Sequence, residues 1–136
     1  MPPVVAFDAD VVIYAGTPSH RWRAPIRTVI EDAATACVGS VLLLPETLAK
    51  PTRLDPGGIE VAEITSLLAQ VELRSLDSAV AQLAVVYGAD FKLRAADAVH
   101  LATAVAAGAD AFLTNNRKDF PKTIEEIEVF YPDDLP

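Results

Sequence analysis

Residues 93–120 read LRAADAVHLATAVAAGADAFLTNNRKDF, and how this stretch folds decides the architecture. Apolar positions 95, 98, 99, 102, 105 and 106 make one stripe at helical spacing, and Gly108 ends the helix. Ala111, Phe112, Leu113 and Thr114 follow as a strand, and residues 114–120 as a polar loop. A helix that hands the chain straight to an apolar strand is half of a βαβ unit, which calls for parallel strands.

The rest of the chain repeats that alternation. In VVAFDADVVIYA, residues 4–7 read as a buried strand and residues 11–15 as a turn of helix. WRAPIRTVIEDAATA at 22–36 reads as a helix with Pro25 in its first turn, and residues 38–41 as a second strand. A further helix is expected from about Pro45, where proline suits the first turn, and TRLDPGG at 52–58 as a flexible loop. Residues 58–70 look helical, and VELRSL at 71–76 alternates as a strand does. Asp77 or Ser78 can cap a helix that Gly88 would stop, and residues 127–130 form a last strand. The order predicts an α/β fold: a three-layer α/β/α sandwich around a central, mostly parallel sheet. With 136 residues, it is most economically one domain over 1–136.

Composition narrows the function. At 51% apolar and 22% charged residues, the chain should fold. The single cysteine, Cys37, forbids an internal disulfide, and its small, apolar neighbours predict a buried, inert thiol in a reducing, cytoplasmic setting. No signal peptide is expected, and no stretch reaches the roughly 18 uncharged residues that span a bilayer. Membrane is therefore not an expected partner. A net charge of −8, from 19 acids and 11 bases, argues against broad non-specific binding to nucleic acid. It leaves room for a phosphate bridged to acids through a divalent ion.

Ligands of open α/β sheets bind outside the carboxyl ends of the strands. Asp8 ends the first strand, and Glu46 lies in the first turn of the helix after the second. Asp97 opens the helix that runs back before AFLT; Asn116 and Asp119 lie in the loop leaving it. Singly, each has an ordinary explanation: Asp10 as a helix cap, Glu46 and Asp97 as complements to a helix dipole, Asp119 as a solvated loop acid. Together, between the apolar segments VVAF, SVLLLP and AADAV, they would repel one another unless a cation neutralised them. Hard oxygen donors favour Mg²⁺ or Mn²⁺ over zinc. His100 reads as a packed or surface histidine, His20 as exposed loop, and Trp22 as a packing residue.

Three segments, FDADVVIYA, SVLLLPETLAKP and residues 93–120, carry a resemblance over nearly the whole length to PIN-domain proteins, a metal-dependent ribonuclease fold that includes VapC-type toxins of toxin–antitoxin pairs. Carried over by position, the resemblance makes Asp8, Glu46, Asp97 and Asp119 the catalytic, metal-binding acids. Asp10, Thr114 and Asn116 become their support. Asp10 stands where the family often has Asn, and Asn116 where many members have aspartate. The implied activity is Mg²⁺- or Mn²⁺-dependent endoribonucleolytic hydrolysis of RNA, with Arg94, Arg117 and Lys118 placed to hold flanking phosphates. The implied partners are an RNA substrate, a short antitoxin chain and a second copy in a homodimer. Two alternatives stand beside it: a PIN-like module that binds without catalysis, and a haloacid-dehalogenase-type phosphatase, whose opening acid-x-acid pattern DADVV matches.

Overall fold

The computed structural model describes residues 2–136. Strand β1 (Val4–Phe7) leads through Asp8 into helix α1 (Ala9–Gly16), and α2 (Arg23–Glu31) follows. Then come β2 (Ala36–Ser40), α3 (Leu43–Leu54), α4 (Ile59–Leu68) and β3 (Glu72–Arg74). The chain continues through α5 (Ser78–Phe91), α6 (Ala95–Ala106), β4 (Ala111–Leu113) and β5 (Glu128–Phe130) to a 3₁₀ turn at Pro132–Asp134.

The five strands pair in the order β3-β2-β1-β4-β5, every pair parallel. Alternate strand residues supply two cores. Ala6, Val38, Phe112 and Val129 pack under α5 and α6 with Val80, Ala84, Tyr87, Leu101 and Ala102. Val5, Phe7, Cys37 and Leu113 pack on the other face with Val12, Ile26, Ile30, Ile64 and Leu67 from α1, α2 and α4. This is the three-layer sandwich the sequence predicts. Burial of both faces explains why the strands read as continuous apolar runs. Among the described residues, no helix is long and apolar enough to cross a membrane.

Three boundaries differ most from the sequence reading. Helix α2 ends at Glu31 and does not reach residue 36. The Asp32 carboxylate there accepts from the Ala34 amide at 2.9 Å and from the Thr35 hydroxyl at 3.3 Å, turning the chain into β2. Helix α3 runs on through Pro51 to Leu54, so only residues 55–58 of the expected 52–58 loop lie outside helix. Gly88 does not stop α5. Glycine only weakens a helix, by roughly 0.5–1 kcal/mol. The helix closes four residues later, where Lys92 turns left-handed at φ 56° and the Leu93 amide donates to the Gly88 carbonyl. Gly108, at φ 70°, does end α6 as expected.

Candidate metal centre

The carboxyl ends of β1 and β4 lie side by side at the centre of the sheet. Asp8 extends β1 by one residue: its amide donates to the Leu113 carbonyl at 3.0 Å. Its side chain then caps α1, Oδ1 accepting from the Ala9 amide at 2.8 Å. The other oxygen, Oδ2, accepts from the hydroxyl of Thr114 at 2.7 Å, across 106 positions of sequence. Asp8 is only 5% exposed.

Asp10 is not the cap. It lies in the first turn of α1 and ties the helix to the loop after β4, Oδ1 accepting from the Val11 amide at 2.7 Å and Oδ2 from the Asn115 amide at 3.0 Å. Asn115 in turn donates its side-chain amide to the Tyr14 hydroxyl at 3.3 Å. The loop is closed by Asn116, whose amide donates to Thr114 Oγ1 at 3.0 Å and whose Nδ2 donates to Asp119 Oδ2 at 3.0 Å. Phe120, fully buried edge-to-face against Phe112, anchors its far end. Thr114 and Asn116 thus stand in direct contact with acids.

The remaining acids arrive from helix starts. Glu46 lies in the first turn of α3 and Asp97 in that of α6. Their convergence is read in the electrostatics. Burial raises the pKa of Asp8, Glu46 adding to the rise while Thr114, His100 and the Ala9 amide oppose it. Burial and then the charge of Asp8 push Asp10 up to about 7, against its bonds to Asn115 and Val11, with Asp97 raising it further. Asp97 is raised by burial, then by Asp8 and Asp119, with Glu46 adding and His100 opposing. Asp8, Asp10 and Asp97 on this rim thus feel one another's charge, with Glu46 and Asp119 adding to it.

That rim has the chemistry of a hard cation site, with oxygen donors whose mutual repulsion an ion would relieve. It is not a finished cage. Among the described residues, no group of three or more Asp, Glu, His and Cys side chains is drawn together tightly enough to hold a metal ion.

One contributor escaped the sequence reading. His100 is buried, as a packed histidine would be, but its Nε2 bonds to Glu46 Oε1. The available signal was its position three residues after Asp97 on the same helix, which puts both on neighbouring faces. Of the expected phosphate holders, Arg117 pairs with Asp133 and lies over the Tyr131 ring, 4.6 Å from its centroid. Arg94 precedes α6 and Lys118 lies in the loop, both exposed. His20 is half-buried rather than exposed, stacked on Tyr14 at 4.0 Å, and Trp22 packs against the core as expected. Cys37 is buried, its thiol pushed up to about 11 by burial and then by Asp32.

Comparison with known proteins follows the same lines. The sequence matches the family described as PIN domain over residues 5–125. No curated protein matches it in a sequence search. Among solved structures, it is similar to a toxin-antitoxin complex from Klebsiella pneumoniae, with a TM-score of 0.73 at 21% identity, over 94% of this chain and 97% of that one. It is similar to DNA-bound VapBC from Salmonella typhimurium, with a TM-score of 0.73 at 16% identity, covering 97% and 99%. VapBC2 from Rickettsia felis, bound to a DNA fragment from its promoter, gives 0.71 at 14%, covering 94% and 98%.

Proposed function

From the premise that this chain belongs to the PIN-domain family, we propose that it is a divalent-metal-dependent endoribonuclease and the toxin of a toxin–antitoxin pair. One observation carries the reading. Hydrogen bonds from Thr114 to Asp8, from Asn116 to Asp119 and between His100 and Glu46 hold acids from separate segments at the carboxyl edge of the sheet, with Asp97 on the same helix as His100. Similarity to complexes of toxins with antitoxins supports the partner part of the proposal. In this reading the chain works in the cytoplasm, on RNA, with a short antitoxin chain and a second copy of itself as protein partners.

Asp8, Glu46, Asp97 and Asp119 would hold Mg²⁺ or Mn²⁺. The bound ion would supply charge neutralisation at the scissile phosphate and a lowered pKa for the attacking water. The chain's own residues do the rest. Thr114 fixes the orientation of Asp8 through its hydroxyl. Asp10, through Asn115, holds the loop that presents Asn116 and Asp119. Arg94 and Lys118 are exposed cations suited to flanking phosphates, while Arg117 must first leave Asp133. A carboxylate that is not engaged with an ion can accept a proton from water as general base.

The test is incubation of purified protein with structured RNA, with and without Mg²⁺ or Mn²⁺, and separately with a phosphomonoester. RNA cleavage that is abolished by EDTA and in Asp8→Asn and Asp97→Asn is the expected result. Phosphate release from the monoester would point to the phosphatase alternative. Neither activity, with melting unchanged by metal, would point to a binding module.

A further inference from the structure

Resting on the metal-dependent reading above, we propose that His100 is a positioning residue, which holds Glu46 in place as a metal ligand through its Nε2. The two side chains differ sharply in freedom. The imidazole side chain is 1% exposed and locked within α6, whereas that of Glu46 is 35% exposed on α3. A glutamate with three rotatable bonds at a surface makes a poor fixed ligand, and ordering it costs side-chain entropy. The bond from Nε2 to Oε1 restricts that motion and engages only one of the two carboxylate oxygens.

The other ring nitrogen sharpens the case. Nδ1 of His100 is the one buried side-chain nitrogen or oxygen among the described residues that has no hydrogen-bond partner. Leaving a polar atom buried and unpaired costs stability, so an aliphatic side chain would serve the core better. A histidine retained only for packing has no need of a carboxylate on a different helix. Since α6 also carries Asp97 three residues earlier, one rigid helix supplies an acid and the anchor of a second acid. Hydrogen-bonded supports of this kind typically change metal affinity about 10- to 100-fold when removed.

Mn²⁺ alone is the probe, titrated calorimetrically and by thermal melting into wild type, His100→Leu, His100→Gln, Glu46→Gln and the double variant Glu46→Gln/His100→Leu. His100→Leu is expected to melt in EDTA at or above the wild-type temperature, because the unpaired Nδ1 is gone. Its Mn²⁺ affinity is expected to fall about 10- to 100-fold. His100→Gln, which keeps an N–H donor, should recover part of the loss. In the Glu46→Gln background the leucine should cost no further affinity. Wild-type affinity in His100→Leu, or an equal loss with and without Glu46, would overturn the assignment. If His100→Leu does not fold, His100→Met, which likewise carries no N–H donor, takes its place with the same expected and overturning results. Absence of Mn²⁺ binding by wild type would instead sink the metal-dependent reading itself, and this inference with it.

Discussion

Replacing Asp10 by Asn should stabilise the metal-free protein at alkaline pH, with a benefit that fades as the pH falls. The folded protein raises the Asp10 pKa from 3.8 to about 7, chiefly by burial and then by the charge of Asp8. For a raised carboxyl pKa the sign is unfavourable above both values. The unfolded chain ionises first, so folding carries the full penalty above pH 7 and none below about pH 3.8. At about 1.4 kcal/mol per unit, that penalty is about 4 kcal/mol at pH 8 and about 2 kcal/mol at pH 5. Asn removes the charge but offers one acceptor oxygen to the amides of Val11 and Asn115, and turns an N–H₂ group toward the other. That mismatch costs roughly 1–3 kcal/mol at every pH. The variant should therefore gain stability over wild type at pH 8 and lose most or all of the gain by pH 5. Urea unfolding in EDTA at pH 5, 6, 7 and 8 measures it directly. Parallel stability curves for the two proteins would refute the reasoning, as would a variant whose advantage grew on acidification.

Wild type without metal should itself become more stable from pH 8 toward pH 5, because Asp8 and Asp97 are raised as well; a fall over that interval, followed by circular dichroism, would contradict their clustering. Mn²⁺ at a hundredfold excess over its dissociation constant should stabilise the fold by about 2.7 kcal/mol, an effect that chemical denaturation should find strongly reduced in Asp97→Asn. Thr114→Val removes the donor to the buried Asp8 oxygen without changing shape, and should cost roughly 1–3 kcal/mol in urea unfolding while reducing RNA cleavage. Gly16→Ala would set a Cβ 2.4 Å from Ile64 Cγ1, where α1 crosses α4, so melting should report a loss of roughly 1–3 kcal/mol through overpacking.

The stretches that read correctly were those in which local pattern and tertiary demand agree. Apolar periodicity marked α6, Gly108 marked its end, and the apolar run before Asp8 marked β1. Residues 32–36 misled because an alanine-rich segment favours helix, yet one Asp32 side chain forms the turn that frees residue 36 for the sheet. Gly88 misled in the opposite sense: α5 is packed along α6, and that packing outweighs one residue of low helix propensity. At the candidate site, acids at strand and helix ends are visible from order alone, because a parallel sheet sends all those ends to one edge. Pairings across the chain are not. Nothing near His100 in sequence reveals Glu46, 54 positions away, and nothing near Arg117 reveals Asp133, since both are made by tertiary contact.

The account rests on carboxylates brought from distant parts of the chain to a shared ion. Electron paramagnetic resonance of free Mn²⁺, titrated into wild type and into Asp8→Asn, Glu46→Gln and Asp97→Asn, tests this most directly. Saturable uptake by wild type, sharply weakened by each single substitution, is the predicted result. Uptake equally strong in all three variants, or none in wild type, would contradict it.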